Sequence, residues 1–266
     1  MVIRKNLKKK YALISVYNKN TIGYLCKNLI KHKYFIVSTG STCAKIKSLG
    51  FKCKDISSIT KQKEMLGGRV KTLNSAIYSS ILFKRENVEQ IKEFNKLKIP
   101  EFNLVIINLY PFKEYSKNNY DEEKIIEMID VGGPSLLRAT SKNYRYVTAI
   151  SSTNDYQKLI SNLDKNNGET DIIFRKKMAF KVFNTTSKYD EAVKNWLSNK
   201  INPENKRGVL RYGENSNQKA FLQTGNNKSI FKYQINGKQL SYNNIVDVDN
   251  GYKCLKEFKE PTCVII

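Results

Sequence analysis

FNLVIINLYPF, residues 102–112, decides the fold. Apart from Asn103 and Asn108 it is apolar as far as Leu109, a run of strand length that reads as a strand covered on both faces, as in a parallel sheet. Pro111 cannot continue a ladder, so Tyr110 falls at the carboxyl end of a central strand. The same rhythm repeats outward from this stretch. Upstream lie the strand-like YALISVY (11–17) and YFIVST (34–39), and downstream lies YVTAIS (146–151). Between them come helical patterns. Asn18 and Asn20 can cap a helix from Thr21 to Lys33 with Ile22, Leu25, Leu29 and Ile30 near one face. Cys43, Ala44, Ile46 and Leu49 recur at helical spacing behind Gly40 and Ser41 and stop at Gly50. A helix spans Asp121 to Ile129, and VGGPSLLRATSKN (131–143) reads as a glycine turn followed by another helix. Alternating strands and helices predict an α/β fold with a doubly wound parallel sheet.

Beyond residue 153 the pattern turns helical. RKKMAFKVFNTTSKYDEAVKNWL (175–197) can pack Met178, Phe180, Val182, Phe183 and Tyr189 on one apolar side. A polar stretch, 199–207 with Pro203, reads as a linker. Residues 208–266 hold strand-like FLQT, IFKYQING and CVII. The expected divisions are a sheet domain at 1–153, a helical extension at 154–199 and a second region at 200–266.

Composition bounds the function. In 266 residues, 40% hydrophobic and 11% aromatic content is too much core material for a disordered chain. No apolar run reaches the roughly 18 residues a membrane span needs, and the basic start lacks a signal-peptide cleavage pattern, so no membrane partner is expected. The net charge of +23 suggests nucleic acid, but it comes from thirty-nine Lys and only eight Arg scattered among Asn and Ile. Phosphate and base readers favour Arg, so biased codon usage is an alternative account. Five cysteines without CxxC spacing fit a reducing cytoplasm, and a single His, His32, excludes His-based zinc sites and Ser-His-Asp triads. No metal site is expected.

Several turns could carry chemistry. Ser15 and Lys19 follow the first strand, and Thr39, Gly40, Ser41 and Thr42 follow the second, where backbone N–H groups can approach a phosphate; the same residues are ordinary helix caps. In GGRVKT (67–72), strand-like alternation would point Arg69 and Lys71 the same way, onto a phosphate or carbonyl or simply into solvent. Tyr110 is either an aromatic plug or a hydroxyl aimed into a crevice. Asp130 before Gly132 and Gly133 is a cap or a positioned base, and Lys142 shares a helical face with Arg138.

Together ALISVYNK, STGST, EMLGGRVKTL, NLYPF, IDVGGPSLLRATSKN, LRYGENSNQ and SYNNI resemble, in order and spacing, the bifunctional AICAR transformylase/IMP cyclohydrolase family of purine biosynthesis. The resemblance implies a methylglyoxal-synthase-like domain that closes the purine ring of formyl-AICAR to IMP with loss of water, followed by the start of a cytidine-deaminase-like α/β transformylase domain. It implies no cofactor for ring closure, 10-formyltetrahydrofolate as co-substrate of formyl transfer, a cytoplasmic homodimer, and no specific nucleic-acid partner. Ser15, Lys19, Thr39, Gly40, Ser41 and Thr42 match the family's phosphate turns, and Arg69, Lys71 and Thr72 its RVKT motif. Tyr110, Asp130 and Lys142 match further catalytic positions, and Arg211 and Tyr212 belong to the transformylase portion.

The chain also departs from the family pattern. Asn74, Ser75, Tyr78, Ser79 and Ser80 stand where His-Pro, a second His and Gly-Gly are usual. Asn20, Thr21 and Ser41 replace Thr-Gly and a glycine, and Ser216 and Asn217 replace Pro-His. The Lys-His pair expected after CVII is missing, which implies an incomplete transformylase region without formyl transfer. Methylglyoxal synthesis, an inactive remnant and a basic RNA-binding protein are the alternative readings.

Overall fold

The computed structural model describes residues 9–62, 65–118, 120–201, 208–222 and 236–266, in two compact units that divide after Val193. The first opens with β1 (Lys10–Val16), α1 (Ile22–Lys31), β2 (Tyr34–Ser38), α2 (Gly40–Ser48), β3 (Lys54–Asp55) and α3 (Ser57–Thr60). It continues with α4 (Ser75–Leu82), α5 (Val88–Leu97), β4 (Phe102–Asn108), α6 (Phe112–Tyr115), α7 (Glu122–Glu127), α8 (Gly132–Lys142), β5 (Thr148–Ile150) and α9 (Tyr156–Lys165). Helix α10 (Ile172–Ile201) follows and runs past the division.

The strands form one parallel sheet in the order β3-β2-β1-β4-β5. Alternation along β1 and β4 sends side chains to opposite faces. Ala12, Ile14, Val16, Leu104 and Ile106 pack with Leu25 and Leu29 of α1, Ile46 of α2 and Leu159 and Leu163 of α9. Leu13, Val105 and Ile107 pack with Ile77 and Ile81 of α4 and Leu136 and Leu137 of α8. The result is the expected doubly wound, three-layer fold. Successive strands add outward from β1 in one direction and, after β3, on its other side. The topological switch therefore lies between β1 and β4, where such sheets open a ligand crevice at the strands' carboxyl ends.

Some local expectations change. Helix α1 is shorter than Thr21 to Lys33; its N-cap Thr21 makes no side-chain cap bond, and Asn18 Oδ1 accepts from the Asn20 N–H at 3.0 Å instead. Ile30 is exposed. On α10, Met178, Val182 and Thr186 are buried but Phe180 and Phe183 are exposed: these buried positions recur every four residues on one face, and Phe180 and Phe183 lie two residues past Met178 and one residue past Val182, turned away from it.

In the second unit, β6 (Gly208–Val209) pairs antiparallel with β7 (Phe221–Leu222), and α11 (Tyr242–Lys256) starts at a capping box between Ser241 and Asn244. The stretch from Cys263 to Ile266 forms no ladder, so that expected strand is absent. Most of IFKYQING, and residues 202–207 of the expected linker, lie outside the described residues.

Candidate functional site

The two turns after β1 and β2 are tied into one cradle. Ser15 Oγ and Thr39 Oγ1 share a hydrogen bond of 2.8 Å. The buried Thr42 hydroxyl accepts from the Val16 N–H at 3.2 Å and donates to the Val16 carbonyl at 3.1 Å. Strand β4, across the switch from β1, adds Asn108, whose Oδ1 accepts from the Tyr17 N–H at 2.6 Å and the Asn18 N–H at 2.9 Å. These bonds fix the turn that carries Lys19, whose ammonium donates to the Tyr17 carbonyl at 3.2 Å.

GGRVKT is not a strand. Leu66, Gly67 and Gly68 take φ values of 51°, 63° and 92°, a left-handed run that cannot extend, and residues 69–72 continue as turns. The turn nevertheless turns Arg69, Lys71 and Thr72 toward the cradle. Arg69 pairs with Glu127, whose carboxylate raises the guanidinium further above its ordinary value.

The glycine pair at the start of α8 draws these pieces together. A Cβ on Gly132 would stand 2.5 Å from Thr72 Oγ1. One on Gly133 would stand 2.8 Å from both Asp130 Cγ and Leu109 Cδ2. Only glycine admits both neighbours, so the GG of one motif makes room for the threonine of another and for its own aspartate. Asp130 Oδ1 accepts from the Gly133 N–H at 2.7 Å, which caps the helix. Burial raises the Asp130 carboxyl above the ordinary carboxylate range, against the opposing pull of the Gly133 and Tyr110 backbone groups. A carboxylate so placed is a stronger base than one in water.

The walls enclose a cleft of about 690 Å³ at the switch point, within the size range of small-ligand sites. Ser15, Lys19, Thr39, Ser41 and Thr42 line it, together with Arg69, Lys71, Thr72, Tyr110 and Asp130. Hydroxyls, cations and a buried base thus share one cleft. Gly40 instead lines an adjoining cavity of about 300 Å³, of which Lys71 also forms part. Lys142 is exposed at the last residue of α8, about 14 Å along the helix axis from Gly133, and does not line the cleft. In the second unit the Arg211 guanidinium lies 4.9 Å over the Tyr212 ring and donates to its hydroxyl at 3.1 Å.

Asn108, Glu127 and Tyr189 complete the surroundings, although motif reading passes over them. Asn108 carries a local signal, a polar residue ending an apolar strand at its carboxyl end. Tyr189 carries none, because it arrives through the tertiary placement of α10.

Known proteins match both parts of the chain. Residues 22–135 match the MGS-like domain, and residues 140–266 match the AICARFT/IMPCHase bienzyme. The bifunctional purine biosynthesis protein PurH of Lactobacillus acidophilus is 40% identical over 96% of this chain and 52% of its own length. PurH of Clostridium botulinum strain Eklund 17B is 41% identical over 96% of this chain and 53% of its own. The crystal structure of ForH superposes with a TM-score of 0.64 at 27% identity, covering 71% of this chain and 100% of that one. The chain spans about half the length of the curated relatives it matches. With an MGS-like domain leading into the AICARFT/IMPCHase region, this chain belongs to the bifunctional PurH family of purine biosynthesis.

Proposed function

We propose that the cleft closes the purine ring of formyl-AICAR, giving IMP and water. The observation that carries this reading is that one cleft is lined both by the hydrogen-bonded turns after β1 and β2 and by Lys71, Tyr110 and a buried Asp130. The substrate's phosphate belongs against Ser15, Lys19, Thr39, Ser41 and Thr42, together with Arg69 and Thr72. Holding the phosphate lets the remaining lining residues fold the carboxamide nitrogen onto the formyl carbon, the proximity that an intramolecular attack requires.

A nitrogen–carbon bond then forms. The nitrogen loses a proton to Asp130, and the formyl oxygen, developing negative charge beside Lys71 and Tyr110, gains one. A second proton then passes from the nitrogen that carried the formyl group to the hydroxyl, and breaking the carbon–oxygen bond releases water and leaves the closed ring with its carbon–nitrogen double bond. Within one chain Lys142 does not reach these groups, so the proton transfers are assigned to Asp130, Tyr110 and Lys71.

The scheme uses no cofactor. 10-Formyltetrahydrofolate enters as the co-substrate of formyl transfer, the family's other half, to which Arg211 and Tyr212 are assigned and which we do not assign to this cleft. The reading implies a homodimer in the reducing cytoplasm. The five cysteines are free thiols, and no helix among the described residues is long and apolar enough to cross a membrane.

The test is ultraviolet detection of IMP from formyl-AICAR by the purified protein, with dihydroxyacetone phosphate offered in parallel. IMP formation supports the assignment, and methylglyoxal formation in its place would reassign the cleft to the other chemistry of MGS-like folds.

A further inference from the structure

Asp130 sits on a short connection between α7 and α8, and a connection of this kind holds a carboxylate only as well as its backbone is held. The backbone is gripped from behind by one side chain. Tyr189 of α10 accepts from the Asp130 N–H at 2.8 Å and donates to the Met128 carbonyl at 2.7 Å, so a single hydroxyl satisfies a donor and an acceptor two residues apart. Its ring lies 6.1 Å from that of Phe112, a fully buried residue two positions after Tyr110. The same side chain therefore braces both the Asp130 connection and the segment that carries Tyr110. The next residue of α10, Asp190, pairs with Arg138 of α8, which holds the helix in place at the same level. Burial pushes the Tyr189 phenol up to about 12, so it stays protonated and keeps donating across the working pH range.

We propose that Tyr189 is a positioning residue for ring closure, fixing the Asp130 carboxylate against the reacting atoms through the backbone bonds at Met128 and Asp130. The proposal rests on the ring-closing reading above. A displacement of about 1 Å in such a group can cost a hundredfold in rate without weakening the ligand's phosphate contacts. It also assigns α10 a part in catalysis, through a residue that never touches substrate.

Tyr189→Phe keeps the ring and removes the hydroxyl, so wild type and variant are compared in IMP formation across pH and in amide hydrogen exchange of the 128–131 connection. We expect kcat to fall by at least about tenfold with KM changed less than about threefold. The acid limb of the variant's profile should move to lower pH, toward the ordinary carboxylate range, as the loosened connection lets water reach Asp130. The Asp130 amide should exchange faster. An active wild type beside a variant with unchanged kcat and unchanged pH profile would overturn the positioning role, even if the variant melts earlier. A wild type that makes no IMP would overturn the ring-closing reading itself, and unaltered exchange at Asp130 would then refute the brace independently.

Discussion

At the residue scale, the cleft depends on two glycines that press on their neighbours to different degrees. Gly133→Ala drives a methyl into Asp130 and Leu109, and should destabilise the fold by about 1–3 kcal/mol in chemical denaturation while abolishing ring closure. Gly132→Ala meets only the Thr72 hydroxyl, which can rotate away, and should cost less. Asp130→Asn separates charge from shape, since an amide oxygen still caps the Gly133 N–H. Because burial raises the Asp130 carboxyl in the folded state, its ionisation disfavours the fold. The stability present when it is protonated is lost as pH rises through the folded value. Melting curves should accordingly show Asp130→Asn gaining on wild type as pH rises through that window and matching it below, with activity lost throughout. The motifs made Gly132, Gly133 and Asp130 legible as a group from sequence. They did not reveal that Gly132 answers to Thr72 or that Tyr189 holds Asp130, because both contacts join residues far apart in the chain.

At the element scale, the cradle stands on hydrogen bonds between turns. Thr42→Val keeps volume but leaves the Val16 N–H without its hydroxyl acceptor, a loss of about 1–3 kcal/mol for a buried group. The KM for formyl-AICAR should rise more than kcat falls, because the turns hold the phosphate rather than the reacting atoms. Steady-state kinetics beside a denaturation curve checks both. Strands were readable because a sheet covered on both faces demands apolar runs, as in β4, and α2 was readable from its spacing and Gly50. GGRVKT misled for a physical reason. Its alternating Val70 and flanking cations imitate a strand, while the left-handed backbone from Leu66 to Gly68 overrides the pattern. Phe180 and Phe183 misled likewise, since an apolar residue is not obliged to be inside.

At the scale of the whole molecule, charge and site are separate matters. A net charge of +23 should retain unrelated RNA at low ionic strength. That affinity should fall by about a thousandfold between about 50 and 200 mM salt, and IMP should not compete for it, as filter binding would show. Competition by IMP would place RNA in the cleft and favour the nucleic-acid reading. The parallel, doubly wound sheet was legible in the alternation of elements, whereas the strand order and hence the switch point between β1 and β4 were not, because alternation alone does not say which strands become neighbours. The short strands and ladder-free stretches of the second unit were not legible either, because their pairing depends on residues remote from each run. The central claim is that one cleft both cradles the phosphate and closes the ring. The most direct measurement is the rate of IMP formation from formyl-AICAR by wild type and Lys71→Ala, with calorimetric binding of IMP to each. The account predicts turnover in the wild type, a loss of at least about a hundredfold in the variant, and IMP binding weakened much less than turnover. A folded wild type that binds IMP but yields none from formyl-AICAR, or a Lys71→Ala variant as fast as wild type, would contradict it.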